Sequence, residues 1–344
     1  MALAAAGLKT HIWNNNLRSI ILLVGYPFLM GAIVWAMAAA IGFFMGQSAG
    51  PNAPHGTIAT NFANGFIAQY WPLIGTAVAI WFIIAWFFNT RMVAMLSHAK
   101  PVTRAEEPAL YNLLENLCIA RGLPMPHLNI IETDALNAFA SGVQRSDYTV
   151  TVTRGLLNTL QPDEVEGVLA HELTHIINHD VRLLMVCIIF TGMIGFVMQL
   201  VWSSVRYGLY MPRSGNNRNN GGTIIIALAI LLILAIGYGA SLLTRFALSR
   251  RREYMADAGA VELTRNPDAM MRALQRISGR DHIPAVPDDV ALMCIENGHA
   301  FMGLFATHPS IDDRIRALST MTGTPIPGAS GTEKSDNPLN PWAR

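Results

Sequence analysis

The segment HELTHIINHD, residues 171–180, places three histidines and two carboxylates within ten positions. If the segment is helical, His171 and His175 lie one turn apart on the same face. Both imidazoles can then reach one zinc ion at about 2.0–2.1 Å. Glu172 lies where its carboxylate can act on a zinc-bound water molecule without binding the metal. This HExxH pattern predicts one zinc ion per chain and metal-assisted hydrolysis.

The pattern supplies two protein ligands, and a catalytic zinc site of this kind needs a third. His179 is unsuited to that role, because positions 171 and 179 of a straight helix are about 12 Å apart. We therefore interpret His179 as a polar-face or interface residue. Asn178 and Asp180 are interpreted as helix-end and interface groups.

Glu253, in the segment RREYMAD, is the first candidate for the third ligand. Asp257 follows one helical turn later, and it could accept the outer N–H of a ligand histidine. The alternative is that both carboxylates pair with the arginines at 250–252 on a solvated helix face. Competing candidates for the third ligand are Glu262, His299 and His308.

Four stretches of the chain contain no Asp, Glu, Lys or Arg: residues 19–45, 71–88, 183–202 and 223–243. Each is close to or above the length of roughly 18–20 residues that crosses a bilayer. With 52% apolar and 14% charged residues, the composition favours an integral membrane protein over a large soluble core. The first stretch is longer than the apolar core of a signal peptide, so we interpret it as a retained anchor.

Basic residues near the ends of these stretches predict their orientation. The pattern puts the N-terminus, residues 89–182 and residues 244–344 on the cytoplasmic side. The residues that carry this prediction are Lys9, Arg18, Arg91, Lys100, Arg104, Arg245, Arg250, Arg251 and Arg252. The arginines at 206, 213 and 218, between the third and fourth stretches, argue against full crossing there.

The rest of the chain predicts an α+β, mostly α fold with a small β-sheet. Strands are expected at 127–133, 137–143 and 148–153, the last half-buried because Thr and Val alternate. Helical periodicity then begins near Pro162. The predicted divisions are an N-terminal transmembrane hairpin (1–90), a first catalytic part (91–182), a second transmembrane hairpin (183–243), a second catalytic part (244–322) and a disordered tail (323–344) rich in Pro, Gly and Ser.

An antiparallel pair of the third and fourth apolar stretches would bring the metal-binding candidates together. His175 lies eight residues before the third stretch, which is about 12 Å along a continuous helix. Glu253 lies ten residues after the fourth, which is about 15 Å. Both side chains would then project at similar heights above the bilayer.

Several segments together resemble the HtpX group of membrane zinc metallopeptidases, which are distantly related to the CAAX prenyl protease. These segments are KTHIWNNNLR, LNAFASG, HELTH, RREYMADAGA and THPSIDDRI, with two apolar stretches between the third and the fourth. The resemblance implies a zincin-like catalytic domain in which His171, His175 and Glu253 hold zinc. It also implies that Glu172 is the general base.

The resemblance further implies how a substrate binds. Asn137, Ala138, Phe139 and Ala140 match the edge strand that pairs with an extended peptide in that group; the alternative is an ordinary structural strand. His308 and Arg314 match a segment associated with substrate binding or oxyanion stabilisation. His308 could instead cap the helix that follows it.

The expected function is a zinc endopeptidase of misfolded or membrane proteins in quality control. The resemblance implies a multi-pass protein of the bacterial inner membrane with its active site facing the cytoplasm. The alternatives are a CAAX-type processing peptidase and an inactive membrane adaptor with a vestigial site. A net charge of +1 suggests no nucleic-acid partner, and three widely spaced cysteines argue against thiolate metal sites. The sequence does not predict an oligomeric state.

Overall fold

The computed structural model describes residues 2–48, 50, 54–210, 220–246, 251–280 and 309–328. Its α-helices are α1 (Ala2–Ser48), α2 (His55–Leu96), α3 (Pro108–Arg121), α4 (Arg154–Thr159), α5 (Pro162–Ile177), α6 (Asp180–Tyr210), α7 (Asn220–Phe246), α8 (Arg251–Thr264), α9 (Pro267–Ile277) and α10 (Ile311–Thr322). Its strands are β1 (Lys100–Pro101), β2 (His127–Ile131), β3 (Ala138–Ser141) and β4 (Thr149–Thr153). The predicted α+β, mostly α class is confirmed.

The described chain divides into two compact units. The polar unit contains the sheet and α3 to α5 with α8 to α10, and it draws on residues within 1–18, 88–185 and 246–344. The apolar unit draws on residues 19–87 and 186–245, which are helical wherever they are described, apart from the short connection between α1 and α2.

The four-stranded sheet has the order β1-β2-β4-β3. Strand β4 runs parallel to β2 and antiparallel to β3, so β4 is central and β3 lies at an edge. All five residues of β4 are buried. The prediction of a half-buried strand was therefore wrong, because alternation of Thr and Val does not reveal that a strand is covered on both faces.

Helix α5 begins at Pro162, and the Gln161 backbone N–H before it donates to Glu164 Oε2 over 2.9 Å. The other interactions of the Glu164 carboxylate are with α9. This fully buried group pairs with Arg272 and Arg276 at 3.2 and 3.0 Å. Two guanidinium partners offset the desolvation of the carboxylate, so these contacts fix the start of α5 against α9.

Helices α5 and α8 approach closely at Gly259. A Cβ atom at this position would collide with Thr174 Cγ2 and would lie 2.8 Å from Thr174 Oγ1. Only a residue without a side chain allows the two backbones to pack at this separation. Since α5 and α8 carry the predicted metal ligands, this contact sets the spacing of the site.

The prediction that α5 continues as one helix into the third apolar stretch was wrong. Helix α5 ends at Ile177, and α6 begins at Asp180. Asn178 keeps right-handed helical geometry, but His179 has a φ of 60° in the left-handed region. One left-handed residue stops the helix and redirects the chain.

In the apolar unit, three helical segments are long and apolar enough to cross a membrane among the residues described: Val24–Gly46, His55–Leu96 and Asp180–Ser204. Helix α7 contributes a shorter apolar segment, Ile225–Gly239. The second predicted span, 71–88, lies within helix α2, which begins earlier, at His55. Of the arginines between the third and fourth stretches, 213 and 218 lie outside the described residues.

The core of the apolar unit is a cluster of large side chains from α1, α6 and α7. Tyr26 stacks on Phe190 with ring centroids 4.2 Å apart, and Phe82 also stacks on Phe190 at 5.7 Å. Other members are Met30, Ile33, Val186, Met193, Ile194 and Leu234. Many outward-facing residues of α1 and α2 are also large and apolar, including Phe28 and Phe87, which suits contact with lipid.

Residues 323–328, the first part of the predicted disordered tail, have a defined conformation in the structure. Residues 323–328 follow α10, and Gly323 ends that helix in a left-handed conformation. Gln275 Nε2 donates to the Pro327 carbonyl oxygen over 3.0 Å, and Ser319 Oγ donates to the Thr324 carbonyl oxygen over 2.7 Å. The rest of the predicted tail, 329–344, lies outside the described residues.

Candidate metal centre

Three side chains on α5 and α8 converge on one point. His171, His175 and Glu253 each offer a ligand atom within 4.8 Å of the other two. The two Nε2 atoms are 3.1 Å apart, and the Glu253 oxygens lie 3.7 Å from His171 Nε2 and 3.8 Å from His175 Nε2. Ligands bound at zinc–nitrogen and zinc–oxygen distances in a tetrahedron lie about 3.4 Å from each other. The donor set therefore fits one tetrahedral zinc ion.

The environment of α8 argues against a solvated, structural role for its carboxylates. Glu253 and Asp257 are 2% and 1% exposed, so neither belongs to the solvated face considered as the alternative. Glu262, a competing candidate, is exposed and pairs with Arg121 at 3.0 Å. The two other competitors, His299 and His308, lie outside the described residues.

A series of buried polar groups contacts the His171 ring at its Nδ1 side. Its Nδ1 lies 2.9 Å from Asp257 Oδ1. Arg314 of α10 binds both oxygens of Asp257, with Nη2 and Nε donating over 2.6 and 2.9 Å. Asp257 therefore lies where the sequence prediction placed a carboxylate beside a ligand histidine. Although burial opposes ionisation of Asp257, Arg314 and His171 outweigh it and lower the pKa of Asp257 to about 2.

Arg314 lies in a different place from the one its predicted role requires. The sequence suggested that it binds substrate or an oxyanion, which requires an accessible guanidinium. Arg314 is 1% exposed and approaches His171 at Nδ1, on the opposite side of the ring from Nε2. Its bidentate contact with Asp257 raises the pKa of Arg314 despite its burial. The geometry therefore assigns Arg314 to support of Asp257.

His175 has its own carboxylate partner, which sequence reasoning missed. Asp180 Oδ2 lies 3.0 Å from His175 Nδ1, and Asp180 is 2% exposed. Burial disfavours the His175 cation, but Glu253 and Asp180 outweigh it and raise the pKa of His175 to about 10. The sequence signal was an Asp close after HExxH, which was interpreted as a helix-end and interface group.

Glu172 lies between the histidine pair and the edge of the sheet. It is 2% exposed, and burial raises its pKa, while the neighbouring histidines and a hydrogen bond from the Ala140 backbone N–H oppose that rise. A carboxylate with a raised pKa is suited to exchange protons with water near neutral pH.

Strand β3 directs alternate main-chain groups towards its free edge. The Thr153 N–H donates to the Asn137 carbonyl oxygen over 3.0 Å, which places residues 137, 139 and 141 in the pairs that bond to β4. Ala138 and Ala140 therefore turn their N–H and C=O groups away from β4. In agreement, the Ala138 N–H donates to the Asn137 side chain over 2.9 Å, and that of Ala140 donates to Glu172. The strand is buried along its length.

A buried His/His/Glu donor set beside a second glutamate, in a chain with long apolar helices, defines a membrane metallopeptidase. Residues 104–322 match the family model described as Peptidase family M48, and the chain belongs to that family. The predicted HtpX-like identity is confirmed.

Relatives that bear the name Protease HtpX homolog match over most of this chain. One from Bacteroides fragilis is 43% identical over 321 residues, which are 91% of this chain and 98% of that protein. One from Listeria monocytogenes is 35% identical over 272 residues, which are 76% of this chain and 88% of that protein. Among solved structures, the crystal structure of S. mikatae Ste24p matches with a TM-score of 0.44 and 18% identity, over 73% of this chain and 60% of that one.

Proposed function

We propose that the protein is a zinc endopeptidase in which His171, His175 and Glu253 hold one zinc ion per chain. The observation that carries this proposal is the convergence of these three donor groups within 4.8 Å, with Glu172 beside them. When bound, zinc supplies Lewis acidity, which acidifies a water molecule and polarises the carbonyl group of a peptide bond.

Glu172 is the general base in this proposal. Its carboxylate takes a proton from the attacking water and returns it to the leaving amine. The Ala140 N–H keeps the carboxylate oriented, and burial keeps its pKa raised, so the group can both accept and release a proton. Asp257 and Asp180 hold the two histidine rings from their Nδ1 sides.

The substrate is proposed to bind as an extended strand at the free edge of β3. Ala138 and Ala140 direct their main-chain groups to that edge. β-Augmentation would use the Ala138 N–H and the two carbonyl oxygens for affinity, while the Ala140 N–H stays bonded to Glu172. Asn137 supports the edge through its bond to the Ala138 N–H, and Phe139 is buried on a face of the sheet.

A proline substitution tests the edge. The Ala138 N–H faces away from β4 and donates to the Asn137 side chain, an acceptor that a substrate carbonyl oxygen would replace. Ala138→Pro therefore leaves the β3–β4 ladder intact but removes a donor to substrate. We expect a raised KM at unchanged zinc content. Phe139→Pro should instead disrupt the ladder and lower the thermal stability. An unchanged KM in the Ala138→Pro variant would argue against this substrate site.

We also propose that the protein resides in the bacterial inner membrane, that its metal centre faces the cytoplasm, and that its substrates are misfolded or membrane proteins in quality control. The distribution of basic residues supports this orientation. A cysteine at the exposed position 316 of a cysteine-free variant should react with a membrane-impermeant thiol reagent only after cells are permeabilised. Labelling of intact cells would reverse the proposed orientation.

The decisive experiment for the function is Glu172→Gln in the full chain in detergent. Zinc content should stay at that of the wild type, because Glu172 is not a ligand, while cleavage of an unfolded protein substrate should fall by about 10²–10⁴-fold. The matched control is Glu166→Gln on the same helix, which should retain activity. Equal cleavage by wild-type and Glu172→Gln protein would refute the base assignment, and no cleavage by zinc-loaded wild type would favour an inactive adaptor.

A further inference from the structure

The break between α5 and α6 brings a carboxylate to the outer nitrogen of the second histidine. We propose that Asp180 is a positioning residue that orients the His175 ring for zinc, and that the left-handed turn at His179 is what lets it do so. Asp180 Oδ2 lies 3.0 Å from His175 Nδ1. The other ring nitrogen, Nε2, faces His171 and Glu253. This inference deepens the proposed function and rests on the zinc site described there.

An unbroken helix could not make this contact. Residues five apart on an α-helix are rotated by about 140° around its axis, so Asp180 would point away from His175. In the structure, the Asn178 N–H still donates to the Thr174 carbonyl oxygen over 2.9 Å, as in a helix. His179 then takes a φ of 60°, and Asp180 starts a new helix. This change of direction places the Asp180 carboxylate beside His175, in the last turn of α5.

The first turn of α6 holds Asp180 at this position. The Leu183 N–H donates to the His179 carbonyl oxygen over 3.3 Å, so His179 is the last residue before the new helix and Asp180 is the first within it. A carboxylate there is favoured by the positive end of the helix dipole. The helix end therefore favours a carboxylate at position 180, in addition to its contact with His175.

His175 needs this support more than His171 does. The His171 side chain is completely buried, whereas that of His175 is 14% exposed and packing constrains it less. An acceptor at Nδ1 keeps the proton on that nitrogen and leaves the Nε2 lone pair directed at the metal. Asp257, itself held by Arg314, does this for His171, and Asp180 does it for His175.

The backbone of His179, rather than its imidazole, carries the turn. Its Nδ1 is buried and has no hydrogen-bond partner among the residues that the structure describes. Glycine adopts a positive φ readily, whereas a β-branched residue does so only with strain. Substitutions at 179 can therefore alter the turn without removing the carboxylate, which separates the effect of position from the effect of charge.

The test measures zinc affinity of the full chain in detergent by competition with a chromophoric chelator. Asp180→Ala should weaken zinc binding by about 10–100-fold, as for loss of other groups that orient a ligand histidine. Asp180→Asn should lose less, because its amide oxygen can still accept from Nδ1–H. The control Asp163→Asn changes a carboxylate at the start of α5 that pairs with Arg272, and it should bind zinc like the wild type.

The second part of the test measures the zinc affinity of variants that change the turn at His179. His179→Gly should retain wild-type zinc affinity, and His179→Val should weaken it towards the value for Asp180→Ala. Melting of the metal-free variants provides the control for folding, because a loss of affinity without a matching fall in Tm reports orientation of the ring. Weaker binding by His179→Gly than by His179→Val would overturn the role assigned to the turn.

Two further outcomes separate this inference from the function on which it rests. If His175→Ala loses zinc but Asp180→Ala binds it like the wild type, the role of Asp180 is overturned and the zinc site stands. If His175→Ala binds zinc as tightly as the wild type, both proposals fall. Equal weakening by Asp180→Ala and Asp163→Asn would also overturn the role of Asp180, because the effect would then not be specific to the ring contact.

Discussion

The metal centre of the polar unit and the core of the apolar unit bury their residues by different means. In the polar unit, Glu172, Glu253, Asp257 and Arg314 are all nearly inaccessible to solvent, and each lies within reach of oppositely charged or hydrogen-bonding groups. In the apolar unit, the core consists of aromatic and aliphatic side chains such as Tyr26 and Phe190. The metal centre is specified by pairing of charges, and the core of the apolar unit by filling of volume.

This difference teaches where a single substitution has most effect. A buried charge depends on particular partner atoms at hydrogen-bond distance, so removal of one partner leaves an uncompensated charge. An apolar cluster depends on total volume and shape, so swaps that conserve volume are tolerated. Conservative changes should therefore be severe around the metal centre and mild in the apolar unit.

The largest effect is expected from Glu253→Ala. This variant removes a proposed ligand, and we expect a loss of zinc affinity greater than the roughly 10–100-fold expected when an outer group is lost. Elemental analysis after dialysis measures the effect. Glu262→Ala lies on the same helix but is exposed and paired with Arg121, so it should keep its zinc. Full zinc content in Glu253→Ala protein would remove Glu253 from the ligand set.

Arg314→Met should be the next most severe change. It leaves the Asp257 carboxylate buried without its cation, and such a loss destabilises a protein by about 3–5 kcal/mol. The matched change Arg316→Met on the same helix removes an exposed ion pair with Asp313 and should alter stability by less than about 1 kcal/mol. Thermal unfolding of the metal-free proteins compares the two, and similar Tm values would contradict the importance of the buried pair.

The pH dependence of the Arg314→Met effect has a definite sign. The folded-state pKa of Asp257 is lowered to about 2, below its unfolded value of about 3.9. A lowered pKa stabilises the fold at pH values above the unfolded pKa, and this contribution is lost as the pH falls through the folded value. The difference in stability between wild type and Arg314→Met should therefore narrow from about pH 4 towards pH 2.

Gly259→Ala should have an intermediate effect. A Cβ at this position meets Thr174, so α5 and α8 must separate, and overpacking of this kind destabilises by about 1–3 kcal/mol. The comparison is Gly192→Ala in α6 of the apolar unit, where an added Cβ meets nothing within 4 Å among the described atoms. That change should be neutral or stabilise by up to about 1 kcal/mol. Thermal melting distinguishes them, and equal shifts would show that the helix spacing is not tight.

The smallest effect is expected from Phe190→Leu in the apolar unit. The substitution keeps much of the volume that packs against Tyr26 and Phe82, so we expect a change below about 1.5 kcal/mol and unaltered zinc content. Phe190→Ala leaves a cavity and should melt at a lower temperature than Phe190→Leu. A loss of zinc in Phe190→Leu protein would contradict the independence of the two kinds of core.

Much of the fold was predictable because local patterns carry it. The apolar stretches indicated membrane helices, and the positions of three strands followed from runs of β-branched and aromatic residues. The two-residue strand β1 has no such pattern. It forms by pairing with β2, far along the chain, so local sequence did not predict it. The break after α5 was missed because a helix can end at a residue other than Gly or Pro, and His179 gives no turn signal.

The sequence by itself determined the types of residue that can do chemistry and their local spacing, since HExxH puts two imidazoles on one helix face wherever that helix lies. It left the third donor open among four residues. Only the tertiary structure shows that Glu253 lies beside the two histidines, that Arg314 contacts Asp257, and that Asp180 contacts His175. These contacts depend on how helices distant in the chain cross and on a single left-handed residue. Local periodicity in the sequence predicts neither of these features.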